Sequence, residues 1–380
     1  MDTPSANGPS ANGPSNAGPP GQREQIHPQE TSISDIGEFG LIAHIRDTLG
    51  EPDDDSIVEG ISDDAAVYRA GDGRVQVVTT DAMIEGVHFD RTFMPMEHLG
   101  FKAMSINVSD ITAMNAEPRY ATVVIGIPKN ASVEAIGTLY KGIKQACDAY
   151  GVTVIGGDTT GAHSLSVTVT VIGEADEEDV VYRRGAQPGD KICVTGDVGA
   201  SYAGLKVLLL QRQQLQQEGQ DFQPKLDKFS YVIRRHLAPP AQLKTVREWS
   251  EAGFRPHSLI DISDGLASEV HHICEASGTT AQLYEPSLPI SPHTRNTATE
   301  FGEDVTVYAL FGGEDYELVF TASEEDLKAL DPQTFNVIGE IGKPEEGKPR
   351  VQMKKGDGEN VPVRPGGFDH FDGEQPDASQ

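Results

Sequence analysis

The chain has 380 residues, three cysteines, and 59 acidic against 30 basic residues, for a formal charge of −29. That length favours two domains over a single core. So acidic a balance argues against a nucleic-acid binder, and no run approaches the ~18 apolar residues of a membrane span. Cys147, Cys193 and Cys274 are far apart and odd in number. This argues against a disulfide framework and, with no apolar leader in the first residues, fits a cytoplasmic protein.

Residues 1–30 repeat Ser-Ala-Asn-Gly-Pro twice and then vary it. Such a stretch cannot bury enough surface to order itself, so a disordered tail is expected. A helix is expected near Asp35, with Glu38 as a capping-box-like partner. Phe39, Ile42, Ile45 and Leu49 then fall at helical spacing. Val75–Thr79, Thr122–Ile127, Val152–Ile155 and Leu165–Ile172 read as strands, Glu97–Asn115 and Val133–Tyr150 as helices. Ala175–Glu178 and Arg183–Asp190 mark a junction. Beyond it come a strand at Ile192–Thr195, a helix from Ser201, and a Gln-rich stretch, Gln211–Lys228, expected as a solvated insertion or helix extension. The expected organisation is a tail over 1–30, domains over 31–176 and 177–371, and an acidic tail over 372–380. Alternating strands and helices predict α+β or α/β domains whose sheets are covered on one side by helices.

Acidic residues recur just past apolar runs: Asp63-Asp64 after Ile61, Asp81 after Val75–Thr80, and Asp158 after Val152–Gly157. Asp261 and Asp264 follow Leu259-Ile260, and Glu314-Asp315 follow Ala309–Gly313. Asp110 lies in a helical stretch with Asn107 on the same face. One such Asp is usually a cap or turn former, but five such positions with Gly, Ser or Thr neighbours predict a shared metal site. Carboxylates, Thr hydroxyls and carbonyls are hard donors that suit magnesium, which binds few carboxylates together with substrate phosphates. No Walker-type loop, dinucleotide fingerprint or protein-kinase motif is present. Val194–Gly199 precedes a helix, and its amides are a weak candidate for holding an anion.

Ser62-Asp63-Asp64-Ala65, Thr79-Thr80-Asp81, Gly86-Val87-His88-Phe89, Asn107-Val108-Ser109-Asp110 and Gly156-Gly157-Asp158-Thr159-Thr160 follow one another in order. So do Arg183 with Gly185–Asp190, Asp261-Ile262-Ser263-Asp264-Gly265-Leu266, Gly312–Leu318 and Gly367-Phe368-Asp369-His370-Phe371. This set resembles thiamine-monophosphate kinase from about residue 35 to 371. Ser62 and Asn115 stand where that family usually has Gly, Phe368 where it often has Tyr, and Gly161 where it often has Arg. The resemblance implies phosphorylation of thiamine monophosphate by ATP in a homodimer that pairs its N-terminal sheets. It implies magnesium ligands at Asp63, Thr80, Asp81, Asp110, Asp158, Asp261 and Asp264, and several ions, with potassium a further candidate. ATP would meet Tyr140, Gly157, Asp158, Arg183 and Ser263, and the thiamine phosphate would meet His88, Glu314 and Phe368. The acceptor is an ionised phosphate, so no general base is expected.

Rival readings are kept in view. Selenophosphate synthetase usually carries Cys or selenocysteine near its N-terminus, whereas the first Cys here is Cys147. A nucleotide sensor would bind ATP without releasing ADP, and an acidic calcium binder would show EF-hand loops, which are absent.

The −29 charge predicts adaptation to salt, because screening relieves self-repulsion. Raising monovalent salt from low to molar levels should raise the melting temperature. A melting temperature that stays flat or falls over that range would contradict it.

Overall fold

The computed structural model describes residues 31–50, 52–219 and 223–366, and only the backbone at Ser34 and Phe39. The two expected tails, Phe368 and the Phe39 side chain therefore lie outside the described residues. Among the described residues no helix is long and apolar enough to cross a membrane.

The chain opens with α1 (Ile33–Leu49), bent at Gly37. It starts earlier than expected, and its cap differs: the Ser32 amide donates to Asp35 Oδ2 at 3.3 Å. Its expected apolar stripe is not buried, since Ile42, Ile45 and Leu49 are exposed.

A six-stranded sheet follows, in the order β1-β2-β3-β6-β4-β5. Its strands are β1 (Ile57–Glu59), β2 (Ala66–Gly71), β3 (Arg74–Ile84), β4 (Glu117–Pro128), β5 (Thr153–Ala162) and β6 (Ser166–Asp176). All pairs are antiparallel except β4 with β5. Alternate residues along the strands are buried, among them Val75, Val77, Val167, Val169, Val171, Ala121, Val123 and Ile125. A two-residue period of this kind gives the sheet one inner face. That face packs under α2 (Met96–Ala113) and α3 (Val133–Tyr150). The other face is open, exposing Tyr68, Ile84, Tyr120 and Val124, and the edge strand β5 is exposed along nearly its whole length.

A second, seven-stranded sheet has the order β13-β12-β9-β11-β7-β10-β8. It comprises β7 (Lys191–Val194), β8 (Ser258–Asp261), β9 (Thr280–Tyr284), β10 (Leu318–Ala322), β11 (Asn336–Gly342), β12 (Val351–Lys354) and β13 (Asn360–Pro362). Here both faces are covered. Ile192, Val194, Ile260 and Val319 pack with α7 (Leu266–Ser277) and α9 (Val305–Phe311). Cys193, Leu259, Leu318 and Phe320 pack with Trp249 of α6 (Leu243–Glu251) and with Ala113 of α2. Between β7 and α6 run α4 (Ala200–Glu218) and α5 (Ser230–Leu237). The Gln-rich stretch is thus a helix extension as far as Glu218. α8 (Pro292–Phe301) precedes α9.

Two glycines set the spacing of the helical layer. A Cβ at Gly142 would stand 1.8 Å from the Glu97 carbonyl oxygen, and one at Gly100 would stand 2.0 Å from that of Leu139. α2 and α3 therefore touch backbone to backbone, and a methyl group has nowhere to go. Gly142→Ala should lower the melting temperature, by an equivalent of ~1–3 kcal/mol. Melting equal to that of the native chain would show that the helices can separate without penalty.

Candidate active site

α2 passes between the two sheets, and its polar residues are buried: Lys102, Ser105, Asn107, Ser109 and Thr112. Buried polar groups need partners, and these residues take theirs from both halves of the chain. Asn107 Oδ1 accepts the Asp81 amide at 3.0 Å. Ser109 donates to Asp261 Oδ2 at the end of β8. Ser105 donates to the Pro239 carbonyl at 2.6 Å.

Around this helix the carboxylates gather. Thr79 of β3 donates to Asp110 Oδ2 at 2.7 Å. Burial, and then the charges of Asp81, Asp261 and Asp64, push the Asp110 carboxyl well above its ordinary range. Burial and then Asp64 raise Asp63 to about 7, against the pull of Arg183. The Arg183 amide donates to Asp63 Oδ2 at 3.1 Å, and its Nε donates to Asp64 Oδ1 at 3.1 Å. Asp64 Oδ2 is buried with no hydrogen-bond partner among the described residues. Asp261 is raised to about 8, by burial first and then by Asp64.

Beyond β8, the Asp264 amide donates to Glu269 Oε1 at 3.0 Å, and Ser263 Oγ lies 3.5 Å from the same oxygen. Glu269 is itself raised by burial and then by Asp264. A second loop closes on this one. The Glu314 amide donates to the Ser263 carbonyl at 2.6 Å, and the Tyr316 amide to that of Ile262 at 2.9 Å. A Cβ at Gly313 would stand 2.6 Å from the Ser263 oxygen, so the approach needs glycine. Glu314 follows the helix α9 rather than a strand, and its backbone is left-handed. Burial would raise its carboxyl, but the charge of Lys102 and the His236 ring outweigh burial and hold it well below the carboxylate range.

Other expected residues stand apart. Strand alternation puts Thr79 and Asp81 on the inner face of the first sheet and Thr80 on the outer one. Thr80 donates to the Val169 carbonyl at 3.1 Å and accepts from Thr170. Asp158 lies within β5, not past its end, and pairs in register with outward-facing Val124. Gly157 is beside it. Tyr140 lines a hollow with Ile127, Val133 and Ile136. His88, in the turn after β3, accepts the Ile84 amide on Nδ1 at 3.1 Å. At the start of α4, the Gly199 amide and the Ser201 amide of its first turn donate to Asp315 at 2.6 and 3.1 Å.

The sequence reading passed over Thr79, Lys102, Ser109 and Glu269 as site residues, and it counted Asp64 among the clustered acidic positions without naming it a ligand. Period two along β3 could have exchanged Thr80 for Thr79. The donors that meet here are all oxygen, and their crowded negative charge, with Asp64 Oδ2 lacking a hydrogen-bond partner among the described residues, fits a hard cation such as magnesium. Among the described residues no three His, Cys, Asp or Glu groups form a ready-made metal cage. Magnesium sites completed by waters and substrate phosphates need none.

A family model for the N-terminal domain of AIR synthase related proteins matches residues 62–175, and one for the C-terminal domain matches residues 187–352. The thiamine-monophosphate kinase of Aquifex aeolicus is 34% identical over 340 residues, covering 89% of this chain and 99% of the relative. That of Bacillus subtilis is 35% identical, covering 88% and 100%. A solved structure described as AaThiL complexed with AMPPCP and TMP superposes with a TM-score of 0.76 at 32% identity, covering 90% of this chain and 100% of that one. Thiamine-monophosphate kinase from Stenotrophomonas maltophilia gives 0.65 at 32% identity, covering 85% and 97%.

The raised carboxyls set a pH dependence. Between the ordinary aspartate pKa of ~3.9 and the folded value of about 8, the folded chain keeps a proton on Asp261 that the unfolded chain has released. Folding takes up that proton, so this group's contribution to stability falls as pH rises through the window. In metal-free protein, Asp261→Asn should therefore gain melting temperature over the native chain, and gain more at pH 8 than at pH 5. A difference that stays constant over the window would show that Asp261 does not titrate there.

Proposed function

This chain belongs to the thiamine-monophosphate kinase family, and on that premise we propose how its residues act. It catalyses the ATP-dependent phosphorylation of thiamine monophosphate to thiamine diphosphate. One observation carries the reading of the site: Asp64, Asp81 and Asp110 of the first half sit within electrostatic reach of Asp261 of the second, and Asp63 within reach of Asp64.

In this reading Asp63, Asp81, Asp110, Asp261 and Asp264 hold several magnesium ions, with Thr79 beside Asp110. Bound magnesium supplies the positive charge that lets two phosphate-bearing anions meet. Potassium is kept as a further ion. Arg183 and Ser263, at the rim of the cluster, face the triphosphate. The apolar hollow at Tyr140 takes the adenine. His88 and Glu314 meet the acceptor, as does Phe368, which lies outside the described residues. The acceptor phosphate has a second pKa of ~6, so it arrives largely ionised. The residues therefore need only to position and to balance charge, and the transfer is direct and in line without a phosphorylated protein.

We also propose a cytoplasmic homodimer and a domain division near residue 176. The open sheet face and α1 leave Tyr68, Ile84, Tyr120, Val124, Ile42 and Ile45 exposed, and a second copy would cover them. The Thr80 and Asp158 side chains and neighbouring Gly157 lie on or beside that face, so pairing would bring them to the interface.

The test is thiamine diphosphate formation with magnesium and ATP. In Asp81→Asn, turnover should fall ~10²–10³-fold. The metal-free melting temperature should hold or rise, because a carboxylate crowded by others is relieved. Near-normal turnover with a lowered melting temperature would remove Asp81 from the site.

A further inference from the structure

Lys102 is the residue that the site above leaves unexplained. It sits in the middle of α2 with its side chain 0% exposed, and its Nζ lies 2.8 Å from Glu314 Oε1. Apart from this ion pair, no described residue accepts a hydrogen bond from Lys102 Nζ. A wholly buried ammonium is costly unless it is paired. On the other side of the same carboxylate, His236 Nδ1 of α5 lies 3.3 Å from Glu314 Oε2, with a side chain only 3% exposed. Ser201 Oγ of α4 is 3.2 Å from that ring nitrogen.

Glu314 itself is 31% exposed. It is thus gripped from behind by two buried groups and open in front. Its left-handed backbone, tied through its amide to Ser263, holds the residue in place. The Glu314 amide's hydrogen bond to the Ser263 carbonyl puts Glu314 beside the loop that carries Asp261 and Asp264, and burial first and then the charges of Glu314, Asp81, Asp261 and Asp110 raise the Tyr316 hydroxyl. A carboxylate so placed repels phosphate and attracts a cation. In thiamine monophosphate the positive charge is on the thiazolium ring, next to an amine-bearing pyrimidine, and the phosphate is at the other end.

We infer that Lys102 and His236 are positioning residues for acceptor recognition: they lock the Glu314 carboxylate where it takes the cationic ring system of thiamine monophosphate. The inference rests on the reading of Glu314 as an acceptor contact. A plain domain clamp would need neither the opening nor the histidine.

The test compares Lys102→Met, His236→Gln and Glu314→Gln by KM for each substrate, kcat and melting temperature. Lys102→Met should raise the KM for thiamine monophosphate ~10-fold or more, as loss of a charged contact does. The KM for ATP should stay within about twofold. His236→Gln should raise the acceptor KM a few-fold by the same route. If Glu314→Gln raises that KM while the other two leave it unchanged, the positioning role is overturned and the reading of Glu314 stands. If Glu314→Gln leaves it unchanged, the reading of Glu314 fails, and the inference with it. Equal rises in both KM values would mark a structural clamp and overturn the inference. Should Lys102→Met not fold, His236→Gln decides by the same readouts.

Discussion

Carboxylates crowded inside a protein repel one another and lose their hydration, and the rest of this structure is arranged around that cost. The chain's own cations are placed selectively. Arg183 faces Asp63 and Asp64, and buried Arg235 reaches Glu317. Lys102 faces Glu314. Around Asp110 the charges that act are those of Asp81, Asp261 and Asp64, and the Thr79 hydroxyl pulls the other way. The carboxylates thus fall into two kinds. Some are held ionised by a fixed partner, such as Glu314. Others are kept short of cations, and it is these that have most to gain from a bound metal and its nucleotide.

α2 makes this crowding possible. Thirteen of its residues are buried, polar ones among them. A helix buried on all sides cannot follow the one-stripe amphipathic pattern, and it has to satisfy its polar groups in several directions. Here Asn107 and Asp110 turn to β3, Ser109 to β8, and Lys102 to the loop after α9. The close contact at Gly100 and Gly142 fixes its distance from α3. Because one rigid element carries contacts to both halves, the site's geometry is set by the helix rather than by either sheet alone.

Much of this was legible in the sequence, for physical reasons that also mark its limits. Asp63, Asp81, Asp110 and Asp261 were legible because each sits in a short string of small and hydroxyl residues that a plain surface turn does not need. The elements α2, α3, β4 and β7 were legible as helix-like and strand-like stretches of the chain. Thr80 and Thr79 could not be told apart by motif, since only the strand's facing decides between them. Asp158 read as lying past a strand, but β5 runs through it because its edge position demands no buried alternation. Lys102 was passed over because a lysine on a helix is a solvated residue by default, and only tertiary packing makes it otherwise. For the anion-holding reading of Val194–Gly199, nothing in the sequence signalled that a remote acceptor, Asp315, takes the Gly199 amide.

The open face of the first sheet has a kinetic consequence. Any second copy of the chain that settles there carries the same charge of −29, so the two repel before they touch. Oppositely charged partners associate faster in dilute salt, and like-charged ones slower. Encounter at this face is therefore slow at low ionic strength and accelerates as ions screen the approach. In the proposed homodimer, the apolar patch and the repulsive field together would let the solvent's ion content, rather than chain concentration alone, set how quickly two copies pair.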